Sequence, residues 1–243
     1  MEESSQPLRN VKEQDPYLVK SYGEIKRELR KGFIIKVYSL LFIQLALTFF
    51  FVYLANEIKF LRAFILYHSW LYYFILLIPL AVLIYFLFDI EMTRKVPINY
   101  ILLFIFTMGE GYTLARFTLG YRRVAVYTSM LLTLIAVITL TLFAFYALKT
   151  GTEITLFFGM FWVTYVIIIF ALFFIAIFKL SFFYTFLNLF GIIIFSFYIL
   201  IDTQLIVGNK TFEVSLDDYI LGVIILYLDI INLFIYILAM SKK

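Results

Sequence analysis

The chain has 243 residues, of which 64% are hydrophobic, 21% aromatic and only 15% charged, with a net charge of +4 and no cysteine. A water-exposed domain is nearer half apolar and a quarter charged, so a soluble globular enzyme and a disordered chain are excluded, as is a disulfide or zinc–cysteine scaffold. Roughly 155 apolar residues suffice for about seven helical membrane spans of ~20 residues each. A transmembrane β-barrel would alternate polar and apolar side chains. Runs such as Tyr165–Phe178 are continuous instead, so the expected fold is all-α, a polytopic membrane protein.

Residues 1–36 carry fourteen of the thirty-six charged side chains. This divides the chain into a polar cytosolic segment, 1–32, and a membrane domain, 33–243. The opening Met1-Glu-Glu-Ser-Ser has no basic stretch leading into an apolar one, so no cleavable signal is expected and the first span serves as the targeting signal. Lys26, Arg27, Arg30, Lys31 and Lys36 cluster ahead of that span. They place the N-terminus in the cytosol by the positive-inside rule; binding of anionic lipid by the same segment is the second reading. Glu24 and Glu28 interrupt the basic run, and nucleic acid is not an expected partner.

Seven apolar runs follow, at about 33–55, 70–88, 98–118, 124–147, 156–178, 182–207 and 219–240. The breaks between them are Asn56–Lys59 with His68, then Asp89 to Pro97, Gly120 to Arg123, Lys149 to Glu153, Lys179 to Ser181, and Gly208 to Ser215. Pro97 suits a helix start, where its missing amide is not needed. Pro79 inside the second span predicts a kink, with a pore-lining bend as the functional alternative. Trp70, Tyr72 and Tyr73 read as interfacial anchors, and His68 as a loop residue rather than a metal ligand. Ser215 is placed to cap the last helix, with Asp217 and Asp218 favouring its positive end. Seven full spans from a cytosolic N-terminus put Arg116, Arg122, Arg123, Lys242 and Lys243 outside, mildly against the charge rule. A last segment that stops short would return the C-terminus to the cytosol.

An ionisable group at mid-membrane costs roughly 2.5–3.5 kcal/mol on insertion scales. Interhelical hydrogen bonds return only about 0.6–2 kcal/mol, so retained carboxylates are functional candidates rather than glue. Asp229 sits at the centre of the last span with Gly222, Ile225 or Leu226, Asn232 and Tyr236 on its face. Asp202 shares a face with Tyr198, Phe195, Gly191 and Asn188, and Thr203 and Gln204 follow it. Glu110 lies between Gly109 and Gly111, with Thr107 and Thr113 three residues away as hydrogen-bond candidates. Lys36, Gln44 and Thr48 add a polar line to the first span, with Lys36 near enough to its end to snorkel. If Asp202 and Asp229 meet, both cannot ionise cheaply and the pair would share a proton. Deprotonation would part the helices and expose hard oxygen ligands to calcium.

Ile201–Gly208 and Asp218–Leu238, with the run Tyr227-Leu-Asp229 and Asn232, resemble the two closing signatures of the Bax-inhibitor/Lifeguard family. Arg30–Leu45 resembles the opening of that family's first span, and Pro97–Gly109 its third. The match runs in order over about 26–240 and fits the Lifeguard branch better than the shorter Bax-inhibitor branch. The resemblance implies seven helices with the last surrounded by the other six. It also implies a calcium leak through an endoplasmic-reticulum, Golgi or plasma membrane, gated by a pH-sensitive aspartate pair onto which Asp202 and Asp229 fall, and suppression of cell death. The expected ion path is Asp202, Asp229, Glu110 and Asn232, with calcium as permeant or bound ion at the two aspartates and no other cofactor. The expected partners are the bilayer, calcium and other membrane proteins.

Two alternatives remain open at this point: a proton-coupled cation exchanger using the same carboxylates, and a non-conducting regulator acting through partners. The absence of an evident internal repeat weighs against the exchanger. An enzyme is not expected, since the chain has one histidine, no HExxH and no nucleophile–histidine pairing.

Overall fold

A computed structural model describes residues 16–150, 181–208 and 214–241. It is helical in the order α1 Pro16–Glu57, α2 Lys59–Tyr67, α3 Ser69–Phe88, α4 Ile98–Thr118, α5 Arg123–Thr150, α6 Ser181–Val207 and α7 Tyr219–Ala239. Six of the described helices are long and apolar enough to cross a membrane. They coincide with the first, second, third, fourth, sixth and seventh runs read from the sequence. The fifth run, 156–178, with Glu153, lies outside the described residues, as do Lys242 and Lys243.

α7 is the central element. Its sequence is apolar on most of its circumference, which suits a helix largely buried in the bundle. Ile220, Val223, Tyr227, Leu233, Phe234 and Leu238 are all fully enclosed. Among the described helices α1, α4, α5 and α6 all pack on it. Contacts set the directions. Lys36 meets Tyr219, Thr48 meets Tyr227 and Phe49 meets Phe234, so α1 and α7 run parallel. Gln44 with Thr107 and Asn56 with Thr118 do the same for α1 and α4. Against Gly222 lies Ile206, and against Tyr236 lie Gly191 and Phe195, so α6 runs antiparallel to α7. α1, α4 and α7 therefore start at one face, here called near, and end at the opposite, far face. The last helix is long and apolar enough to cross a membrane.

Three local expectations are revised. α1 continues back to Pro16 through the composition change at residue 32. Residues 24–31 are mostly strong helix formers, and the Lys31–Glu28 pair lies on one face at 3.9 Å. The first break is not irregular but holds α2, whose Ile65 is fully buried against the bundle. Ser215 does not cap α7: the helix starts at Tyr219 with Asp218 flanking it and no side-chain cap bond. Asp218 instead engages Arg94 from the break before α4, because a charged bidentate partner outcompetes a local amide.

Pro79 sits within α3 and is buried. Its ring presses on α4 where a Cβ at Gly109 would lie 2.8 Å from the proline Cδ. Trp70 and Tyr73 are 60% and 66% exposed at the start of α3, as interfacial anchors should be. α6 ends at Gly208, whose φ of 85° lies in the left-handed region and whose N–H bonds the Gln204 carbonyl at 3.0 Å. Only glycine adopts that cap without strain. Gly208→Ala is expected to cost about 1 kcal/mol, a melting shift of roughly 2–4 °C in detergent. An unshifted melt would refute the cap.

Candidate functional site

The site forms where α6 lies along α7. Asp229 projects from the middle of α7 and is 8% exposed. Antiparallel register, with Ile206 against Gly222 and Phe195 against Tyr236, carries Asp202 of α6 to the level of Asp229, and the two carboxyl groups lie close enough to interact. Two carboxyl groups hydrogen-bond each other only with a proton between them. One oxygen of Asp229, Oδ2, is enclosed and has no hydrogen-bond partner among the described residues. Beside the pair Thr203 accepts a bond from the Tyr38 hydroxyl of α1 at 3.3 Å, and Thr203 and Gln204 are fully buried.

The rest of the α6 stripe read from the sequence also faces α7. The ring of Tyr236 stacks on Phe195 at 5.6 Å between centroids and occupies the space over Gly191, where a Cβ would overlap it. Asn188, one turn earlier, keeps an enclosed amide without a partner among the described residues. The small residue thus lets the two helices close enough for the carboxyl groups to meet. Gly191→Ala is expected to cost about 1–3 kcal/mol by overpacking. Adding Tyr236→Leu should restore most of that loss in thermal melts, and a Gly191→Ala protein as stable as the parent would contradict the close approach.

The other candidates are not gathered here. Glu110 is half-buried on α4. Neither flanking threonine serves it. Thr107 donates to the Leu103 carbonyl and accepts from Gln44 at 2.7 Å, while Thr113 Oγ1 has no partner among the described residues. Helical threonines bond their own preceding turn when the geometry allows it. Asn232 likewise donates to the Leu228 carbonyl of its own helix at 2.8 Å. Gln44 and Thr48 do face inward: Thr48 and Tyr227 share a hydroxyl–hydroxyl bond of 2.8 Å.

One residue read as part of the basic topology and lipid-binding segment proves structural to the site. Arg30 is 9% exposed. Its guanidinium donates to the carbonyls of Leu205 at 2.7 Å and Val207 at 3.3 Å, and to that of Val214. A cation at a helix C-terminus satisfies its open carbonyls and its negative end, so Arg30 holds the last turn of α6, one turn beyond Asp202. The signal for it was present. The buried line Thr48, Gln44, Leu41, Val37 and Phe33 steps back at helical spacing onto position 30.

The near end of α7 is fastened in the same way. Lys36 Nζ lies 3.3 Å from the centroid of the Tyr219 ring, and the Tyr219 hydroxyl accepts from Asn99 at 2.8 Å. Arg94 grips Asp218 with bonds of 2.7 and 3.0 Å, and that contact holds the Arg94 guanidinium more firmly protonated than usual. At the far face Arg123 pairs with Glu57 at 3.1 Å.

Residues 30–242 match the family model described as inhibitor of apoptosis-promoting Bax1. The chain is similar to Protein LIFEGUARD 3 of Arabidopsis thaliana, 34% identical over 225 residues, covering 88% of this chain and 86% of that one. It is 28% identical over 218 residues to Protein lifeguard 3 of Homo sapiens, covering 88% and 69%. It is 29% identical over 248 residues to Bax inhibitor 1 of Saccharomyces cerevisiae, covering 86% and 82%.

Proposed function

The chain belongs to the Bax-inhibitor family of membrane proteins, and on that premise we propose that it is a pH-sensitive calcium leak whose gate is the Asp202–Asp229 pair. The observation that carries this reading is the approach of Asp202 on α6 to Asp229 on the central helix α7. With a proton between them the pair ties α6 to α7 and the path is closed. When the proton leaves, two like charges in a weakly polar interior repel, α6 loosens from α7, and carboxylate oxygens line the opened seam. Calcium takes about six to eight oxygen ligands. Two carboxylates supply at most about four of them, which suits an ion in passage better than one held fast. Asp202 and Asp229 are the gate in this reading, and Glu110 and Asn232 lie further along the path.

In this reading the N-terminus lies in the cytosol, which the basic residues before the first span favour, and the membrane is that of the endoplasmic reticulum, the Golgi or the cell surface. By passing calcium down its gradient the protein would lower a stored pool and so restrain cell death, as the names of its relatives suggest. The family description itself favours a second reading, a regulator that conducts nothing and acts through partner proteins.

The test is calcium flux into liposomes holding the purified full chain, measured across pH. Flux that rises with pH supports the leak. An absence of flux at every pH overturns it in favour of the regulator, and flux that requires an opposing proton gradient overturns it in favour of an exchanger.

A further inference from the structure

Two cavities lie one above the other along the seam between α3 and α4, away from the aspartate pair. The upper, about 290 Å³, is at the far face and is lined by Ser69, Tyr72, Tyr73, Arg116 and Tyr121 among others. The lower, about 330 Å³, is lined by Phe51, Ile75, Ile78, Phe104, Met108 and Tyr112 among others. The upper wall is polar and aromatic, whereas the lower is almost wholly apolar. Tyr72 and Ile78 are six residues apart on α3, about 9 Å along the helix axis, and Tyr112 stands one turn below Arg116 on α4. The two cavities thus sit at successive depths of one groove, the first at the level of the exposed anchors Trp70 and Tyr73, the second deeper in the hydrocarbon.

Arg116 is the unusual group. It is half-buried, it makes no ion pair among the described residues, and its enclosed Nε has no acceptor there. Among the described residues no carboxylate lines its cavity. An enclosed guanidinium N–H without an acceptor carries a cost that an anion bound there would remove. Below it, Tyr112 holds an enclosed hydroxyl that also has no partner among the described residues. The lower slot opens sideways, since Phe104 and Met108 on its wall are exposed on the outer surface of the bundle, where lipid chains lie.

We infer that this groove binds one anionic phospholipid of the far leaflet, its phosphate on Arg116 and one acyl chain in the slot between α3 and α4. A guanidinium matches the phosphate geometry, and Tyr72 and Tyr73 supply hydroxyls for the polar head. With no carboxylate to receive an ammonium group, a net anionic head is favoured over a zwitterionic one. The lipid would lie directly over the Pro79–Gly109 contact, and so brace α3 against α4.

The test is native mass spectrometry of the purified full chain in detergent, offered phosphatidylglycerol and phosphatidylcholine with identical chains. One phosphatidylglycerol per protein should be retained, with about tenfold or greater preference over phosphatidylcholine. Arg116→Gln should remove that preference, and Arg116→Lys should keep part of it. Met108→Trp, which fills the slot from its exposed side, should weaken retention of the lipid by a similar factor. This second variant keeps the lipid site testable where Arg116→Gln fails to fold. Glycerol phosphate, which carries the anion without chains, should not displace the lipid at about hundredfold excess. Equal retention of both lipids, unchanged retention in Met108→Trp, or displacement by glycerol phosphate alone would each overturn the assignment, the last in favour of a free-anion site.

Discussion

In liposomes, Asp229→Asn and Asp202→Asn are each expected to give a low calcium flux that no longer changes with pH. An asparagine amide donates to the remaining carboxylate at every pH, so the α6–α7 tie persists where the wild-type pair would lose its proton. Asp202→Ala should behave oppositely. It removes the tie at every pH and leaves flux high and equally flat. The sign follows from the shared proton: wild-type flux rises with pH because deprotonation breaks the bond and substitutes repulsion. A hydrogen bond to a charged group is worth about 1.5–3 kcal/mol, so the span between closed and open flux should be roughly tenfold to a hundredfold. Asparagine variants that keep the wild-type pH profile would remove the pair from the gate.

Arg30→Met is expected to cost upwards of about 3 kcal/mol, since three carbonyls lose one charged donor together. A thermal melt in detergent reads that loss, roughly 6–12 °C for a chain of this size. Arg30→Lys should recover part of the stability, because an ammonium can serve some of the carbonyls but lacks the planar fork that reaches all three. The effect should extend to function. The carbonyls of Leu205 and Val207 belong to the turn just past Asp202, and a frayed turn no longer presents Asp202 to Asp229. The variant should therefore show raised flux with a weakened pH response. A melt within 1–2 °C of wild type would show that water replaces the guanidinium without loss.

The spans were legible for a reason rooted in the solvent. A helix in hydrocarbon satisfies its own backbone and must be apolar over about 20 residues, so each described span carries its signal locally. The runs read as 70–88, 98–118, 182–207 and 219–240 fall within a residue of the helices Ser69–Phe88, Ile98–Thr118, Ser181–Val207 and Tyr219–Ala239. Elements outside the hydrocarbon were less legible. The extension of α1 to Pro16 forms in a polar stretch, and α2, apolar but only nine residues long, is too short for the length rule to apply. The capping role read for Ser215 went astray because Arg94, more than a hundred residues away, recruits Asp218.

The chemistry divides along the same line. Sequence alone determined that the chain is a helical membrane protein, that its few intramembrane charges include Asp202, Asp229 and Glu110, and that the first two lie on faces of small and polar residues. Those are properties of one helix at a time, set by composition and a 3.6-residue period. Only the tertiary structure decided that Asp202 and Asp229 meet while Glu110 stands apart, that Arg30 reaches across to Leu205, Val207 and Val214, and that Arg116 is left in a groove without a counter-charge. Each depends on the rotation and register of one helix against another. Close packing sets these, as at Gly191 under the Tyr236 ring, through contacts between residues tens to nearly two hundred positions apart.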